Sequence, residues 1–267
     1  MAYLSTITNE QTAELPSAHF DGNIIVVERE EQIASVCRDL ASEKIIGFDT
    51  ETRPSFKAGV TNKVALLQLS TSKRCYLIRL CRMRLHKDIL RILSNPNILK
   101  IGADVAGDIR ALHVLRHFTE RGFIDLQHIA PEWGIEDKSL RKISAIVLQE
   151  RVSKAQRLSN WEAATLTPQQ QMYAATDAWV CIKIYEKLMA SPRVNAKPEQ
   201  ASSEPTIEDK KPTTNNRTPR NPERASESRP KREGKANFAT KHRSLPYRKR
   251  FGGRPHRKNH DNNEKQI

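Results

Sequence analysis

Residues 45–51 read Ile45-Ile46-Gly47-Phe48-Asp49-Thr50-Glu51, an apolar run that ends on two acids. Residues 45–48 read as a buried β-strand, and Asp49 and Glu51, two positions apart, share a face of it. Taken alone, the pair is also what a strand end entering a polar turn looks like. Outward from this stretch, residues 64–69 (VALLQL) and 75–78 (CYLI) read as a second and third strand, close enough in sequence for antiparallel neighbours. Upstream, residues 23–27 (NIIVV) read as a short strand, and residues 30–40 carry Ile33, Val36, Cys37 and Leu40 at helical spacing. Residues 1–20 are polar and weakly patterned, which predicts an extended lead-in.

Downstream, residues 85–93 form an amphipathic helix stopped at Asn95-Pro96, residues 98–102 a strand, and residues 108–117 a helix. Residues 124–126 read as a strand edge feeding another helix, and residues 140–148 as a helix before a loop carrying Arg151, Lys154 and Arg157. Thr167 as N-cap, Pro168 at the first helical position and Gln170 as the capping-box partner open a last helix running to Met189, before Pro192. Strands come first and alternate with helices later, so the fold class is α/β, a mixed central sheet flanked by helices.

Two further segments place acids in core-forming sequence. Tyr173 and Asp177 lie four apart on the capped helix and stack on one face. Ala174, Ala175 and Ala178 would let that face approach another backbone closely; the bland alternative is a solvated Asp beside a half-buried Tyr. Asp108 follows Gly107 at a helix start, where an acid complements the dipole, and Asp104 four residues earlier competes with it. Asp125 reads equally well as the cap of a following helix. Buried acids are costly unless a positive group offsets them, and a few carboxylates from separate elements suit a hard divalent cation. Jointly, they point to a metal-dependent site that handles phosphate.

The net charge of +14 is uneven. Residues 193–267 hold 20 Lys+Arg against 9 Asp+Glu, a net of +11, whereas residues 1–192 are only +3. The C-terminal stretch is also poor in large apolar residues, so a disordered basic tail is expected over residues 191–267. Cys37, Cys75, Cys81 and Cys181 show no CxxC or zinc-like spacing, and read as reduced thiols of a cytoplasmic protein. No apolar run is long enough for a membrane span, and the N-terminus lacks the pattern of an export signal.

In this order, GFDTE at residues 47–51, KVALLQL at 63–69, KIGADVAGDIRAL at 100–112 and SNWEAATLTPQQQMYAATDAW at 159–179 resemble the DEDDy branch of the DnaQ-like 3′–5′ exonucleases. The likeness, nearest to ribonuclease D and the Werner-syndrome exonuclease domain, covers residues 22–190, with residues 1–21 a lead-in. It implies an RNase H-like fold with a mixed five-stranded sheet whose second strand is antiparallel. It further implies that Asp49, Glu51, Asp108 and Asp177 bind two Mg²⁺ or Mn²⁺ ions and that Tyr173 orients the attacking water. An unperturbed phenol titrates near ~10, so Tyr173 positions that water rather than deprotonating it. The implied reaction is stepwise hydrolysis of nucleic acid from a single-stranded or recessed 3′ end to nucleoside 5′-monophosphates, with DNA slightly favoured. A ribonuclease D-like RNA processor and an inactive nucleic-acid-binding module are the competing readings. Arg53, Phe56, Lys57, Lys154 and Arg157 are candidate substrate contacts. The tail, with Tyr247 and Phe251 among its cations, is expected to add non-specific phosphate affinity.

Overall fold

The computed structural model describes residues 2–55, 59 and 62–194, which fall in the first of the chain's two units, Met1–Glu204. Six strands, β1 (Asn23–Val27), β2 (Ile45–Thr52), β3 (Val64–Ser70), β4 (Arg74–Arg79), β5 (Leu99–Gly102) and β6 (Phe123–Asp125), form one sheet in the order β1-β4-β3-β2-β5-β6. β3 alone runs antiparallel to its neighbours β2 and β4; the pairs β1–β4, β2–β5 and β5–β6 are parallel. The mixed α/β class is as expected, but the sheet has six strands rather than five. β1, the strand already read at residues 23–27, extends the sheet beyond β4.

The helices are α1 (Asn9–Glu14), α2 (Ile33–Ala41), α3 (Lys87–Leu93), α4 (Val105–Leu115), α5 (Leu126–Ile129), α6 (Leu140–Leu148) and α7 (Pro168–Met189). One face of the sheet, including Ile46, Phe48, Leu67 and Leu69, packs against residues of α2, α3 and α4 in a single apolar cluster. The opposite face packs against α5, α6 and α7. β3 is buried along its whole length, as a strand covered on both faces must be.

Three expectations need correction. β2 does not stop at its acids: it continues through Asp49 and Glu51 to Thr52, with its register shifting between Glu51 and Thr52. The lead-in is not plain extended chain. Thr8 opens α1 with a reciprocal capping box to Gln11, and Ile7, Thr12 and Phe20 are buried. The folded unit also runs past residue 190, because Trp133 Nε1 donates to the Ser191 carbonyl at 3.0 Å and Arg193 pairs with Glu132 at 3.0 Å. The rest of the expected tail, residues 195–267, lies outside the described residues.

Candidate active site

Strand alternation turns Gly47, Asp49 and Glu51 to the face covered by α7. Gly47 sets the depth of that contact, because any Cβ there would collide with the Ala178 carbonyl oxygen. The run of small residues on α7 thus lets the helix backbone lie directly on β2. Thr167 and Gln170 cap the helix reciprocally (Gln170 N to Thr167 Oγ1 3.2 Å, Thr167 N to Gln170 Oε1 3.0 Å). Asp177, only 6% exposed, is thereby pressed against the acids of β2. Carboxylate oxygens of Asp49, Glu51 and Asp177 lie within 4.8 Å of one another.

Asp108 approaches from the other layer. Asp104, in a left-handed conformation (φ 66°), is the N-cap of α4, which begins at Val105, so Asp108 lies in the helix's first turn, four residues past the cap. Its Oδ1 accepts a 2.6 Å hydrogen bond from Thr50 Oγ1, which fixes the carboxylate against β2. Asp104 is exposed. Asp125 works as a clamp, accepting from the backbone amides of Val105 (3.0 Å) and Gln127 (2.9 Å) and so holding the starts of α4 and α5.

The four carboxyls are strongly perturbed. Burial, then the charge of Asp177, pushes Asp49 far above the ordinary carboxylate range. Burial followed by the Asp49 and Asp177 charges raises Glu51 to about 10. Burial and Asp49 raise Asp108 to about 8, and burial raises Asp177 to about 8, with the Tyr173 hydroxyl opposing the rise. Without a cation, the cluster holds protons where isolated acids would have lost them. Asp177 Oδ1 is also buried without a hydrogen-bond partner. Clustered hard oxygens, mutual repulsion and an orphaned buried acceptor together fit a divalent cation.

Tyr173 is half-buried beside this cluster, its phenol pushed upward by burial and then by Asp177 and Glu51. The fully buried Trp161 packs at 6.0 Å against its ring. The segment bearing Trp161 is tied down by the buried Arg79, which pairs with Glu28 at 2.9 Å and donates to the Ala163 carbonyl at 2.5 Å. Of the candidate substrate contacts, Arg157 is close enough to lower the Glu51 carboxyl against the dominant upward effects. Lys154 is exposed on the same loop, and Arg53 pairs with Glu162 at 3.4 Å. Phe56 and Lys57 lie outside the described residues.

Two supporting residues were not singled out from sequence. Gln68 is fully buried opposite Asp49 on β3, and with its amide nitrogen turned to the acid it donates to Asp49 Oδ2 at 3.2 Å. Its signal was a lone amide inside an apolar strand. Thr50, between the two acids, gave no signal, because its partner is 58 residues away.

Residues 24–191 match the family described as 3′–5′ exonuclease, and the chain belongs to that family. The mouse (Mus musculus) bifunctional 3′–5′ exonuclease/ATP-dependent helicase WRN is 33% identical over 186 residues, 65% of this chain and 13% of that protein. The exonuclease 3′–5′ domain-containing protein 2 of Drosophila melanogaster is 36% identical over 149 residues, 54% of this chain and 25% of that protein. The chain therefore spans a quarter or less of the length of these two relatives. In fold it is similar to the crystal structure of Escherichia coli RNase D, an exoribonuclease (TM-score 0.58, 23% identity, 63% of this chain and 44% of that one).

Proposed function

We propose that this chain hydrolyses the 3′-terminal phosphodiester of nucleic acid, releasing nucleoside 5′-monophosphates one at a time. Asp49, Glu51, Asp108 and Asp177 would hold two divalent ions, Mg²⁺ or Mn²⁺. The observation that carries this reading is the buried cluster of Asp49, Glu51 and Asp177, with oxygens within 4.8 Å and no protein cation bonded to them among the described residues. Family membership supplies the polarity of the reaction. Bound divalent ions supply Lewis-acid stabilisation of the attacking and leaving oxygens in such sites.

The chain's own residues prepare that site. Thr50 and Gln68 each hold one acid by a hydrogen bond, which orients Asp108 and Asp49 while leaving other carboxylate oxygens available. Tyr173, with its phenol pushed upward, stays protonated at neutral pH, so it donates a hydrogen bond that orients water and does not act as the base. Arg157, near Glu51, is the cation best placed to meet a substrate phosphate, with Lys154 on the same loop. The substrates proposed are single-stranded or recessed 3′ ends, acted on in the cytoplasm.

The test is a degradation time course on matched 5′-labelled single-stranded DNA and RNA with Mg²⁺, Mn²⁺ or EDTA. A ladder shortening from the 3′ end only with metal supports the proposal, and the faster substrate identifies the sugar class. Binding without degradation, on these strands and on duplexes with recessed ends, would leave a binding module on a nuclease scaffold.

A further inference from the structure

Arg79, the last residue of β4, is a charged side chain with no exposure to solvent, and it lies outside the acidic cluster. Burying a guanidinium is costly unless its donors are met. Here they are met unevenly. Nη1 reaches Glu28 at 2.9 Å, but Glu28 is 44% exposed, and Nε has no hydrogen-bond partner among the described residues. Nη2 donates to the Ala163 carbonyl at 2.5 Å and approaches Cys81 Sγ at 3.5 Å. Stability alone does not call for such a group, since an apolar side chain of similar volume would fill the same space without the desolvation cost. What the arginine adds is a directional tie from the end of β4 to residues 160–164.

That segment depends on its ties. Trp161 is fully buried and clusters with Ala65, Leu66 and Leu77 of the sheet and with Ala174 and Ala175 of α7, yet its Nε1 has no hydrogen-bond partner. No bond of its own fixes the indole, so its place is set by packing and by the backbone on either side. On one side Gln170 Nε2 donates to the Asn160 carbonyl at 3.3 Å. On the other, Arg79 holds the Ala163 carbonyl, and the exposed Arg82 donates from Nη2 to the Ala164 carbonyl at 3.1 Å. The Trp161 ring lies 6.0 Å from the ring of Tyr173, which stands one helical turn before Asp177 on α7. A misplacement of about 1 Å at a group that aligns reactants can cost on the order of 100-fold in rate. A shift of the indole is therefore felt at the phenol.

We propose that Arg79 is a positioning residue for Tyr173: by gripping the Ala163 carbonyl it fixes the Trp161 ring, and that ring holds the phenol in place beside the acids. The proposal rests on the exonuclease reading of the acidic cluster and on the water-orienting role given to Tyr173. Arg79 bonds to none of the four acids among the described residues, so it acts through the segment and not on the reacting atoms.

The test uses the full-length chain and a double-mutant cycle with Tyr173→Phe. Arg79→Met removes the tie with an unbranched apolar side chain, and Glu28, already 44% exposed, can turn to water, so no charge is stranded in the core. Arg79→Lys keeps the charge, but a single ammonium cannot hold Glu28 and the Ala163 carbonyl in one fork, and this variant serves where Arg79→Met fails to fold. Both are expected to lower kcat, Arg79→Met by about 10-fold, with KM and Mn²⁺ affinity unchanged. In the Tyr173→Phe background the same changes should cost less than about 2-fold, because the hydroxyl through which they act is already gone. Losses that multiply across the two backgrounds, as a purely structural arginine would give, or variants as active as wild type, overturn the proposal. The second readout needs no activity. Fluorine NMR of the chain labelled with fluorotyrosine, with the Tyr173 signal assigned by its loss in Tyr173→Phe, should show that signal moved or broadened by either Arg79 variant. A moved signal in a chain that degrades nothing keeps the tie and sinks the exonuclease. An unmoved signal overturns the tie whether or not the chain is active.

Discussion

Asp177 shows how one residue can be costly to the fold and yet sit at the centre of the proposed chemistry. Its carboxyl is pushed up to about 8 by burial, and Glu51 and Asp108 are raised with it. In the unfolded chain these acids ionise near ~4. Between that value and about 8 the folded state binds more protons, so metal-free stability is greatest at acid pH and falls as pH rises. Thermal denaturation in EDTA is therefore expected to show Tm falling from pH 5 to pH 8, with Mg²⁺ or Mn²⁺ restoring it. Asp177→Asn should flatten that slope and lose the metal response. A wild-type Tm independent of pH and metal over this range would mean the acids are not mutually repelling as described. At Tyr173 a different split is expected. Tyr173→Phe should lower kcat by on the order of 10- to 100-fold through misplaced water, with Mn²⁺ affinity unchanged in a binding titration. An unaltered kcat would remove the phenol from the mechanism. Asp49, Glu51 and Asp177 were legible in the sequence because acids stand out against apolar or small neighbours. Thr50 and Gln68 were not, since each acquires its role from an acid on another strand or helix.

Among the elements, α7 was the most legible and β2 the most informative in error. Thr167, Pro168 and Gln170 announce the helix start locally, and the helix begins at Pro168 and ends at Met189 as its sequence predicts. The extent of β2 depends on its pairing with β3 as far as Thr52, a long-range matter that a polar Asp-Thr-Glu run conceals. Asp104 and Asp108 are separated in the sequence only by the family resemblance, and the turn before α4 adds a physical distinction, since Asp104 takes the cap there in left-handed geometry. The order of the lead-in around α1 was missed because Ile7 and Phe20, on either side of it, bond to residues more than 100 positions away. The close seat of α7 on β2 gives a direct prediction. Gly47→Ala should destabilise the protein by about 1–3 kcal/mol or more, since backbone rather than a flexible side chain must give way. It should also reduce activity by lifting Asp177 from the acids of β2. Denaturant unfolding with a matched rate assay checks both, and a stable, fully active Gly47→Ala protein would contradict the packing.

For the whole molecule, charge separates the catalytic unit from the segment that follows it. Residues 193–267 carry a net +11, against +3 for residues 1–192. Removing residues 195–267 keeps the Arg193–Glu132 pair and should weaken nucleic-acid binding while flattening its dependence on salt. The turnover rate at saturating strand should be unaffected, because the acidic cluster lies wholly within the described unit. Fluorescence anisotropy across a salt series is the measurement, and an unchanged slope would make the cations of that segment irrelevant to binding. The central claim, that the Asp49, Glu51 and Asp177 cluster drives metal-dependent removal of 3′-terminal nucleotides, is tested most directly by mass spectrometry of the products. A defined single strand would be incubated with wild-type and Asp49→Asn protein, with Mg²⁺ or EDTA. Nucleoside 5′-monophosphates released in order from the 3′ end, only by wild type with metal, are predicted. Oligonucleotide or 3′-phosphate products, or equal release by Asp49→Asn, would contradict it.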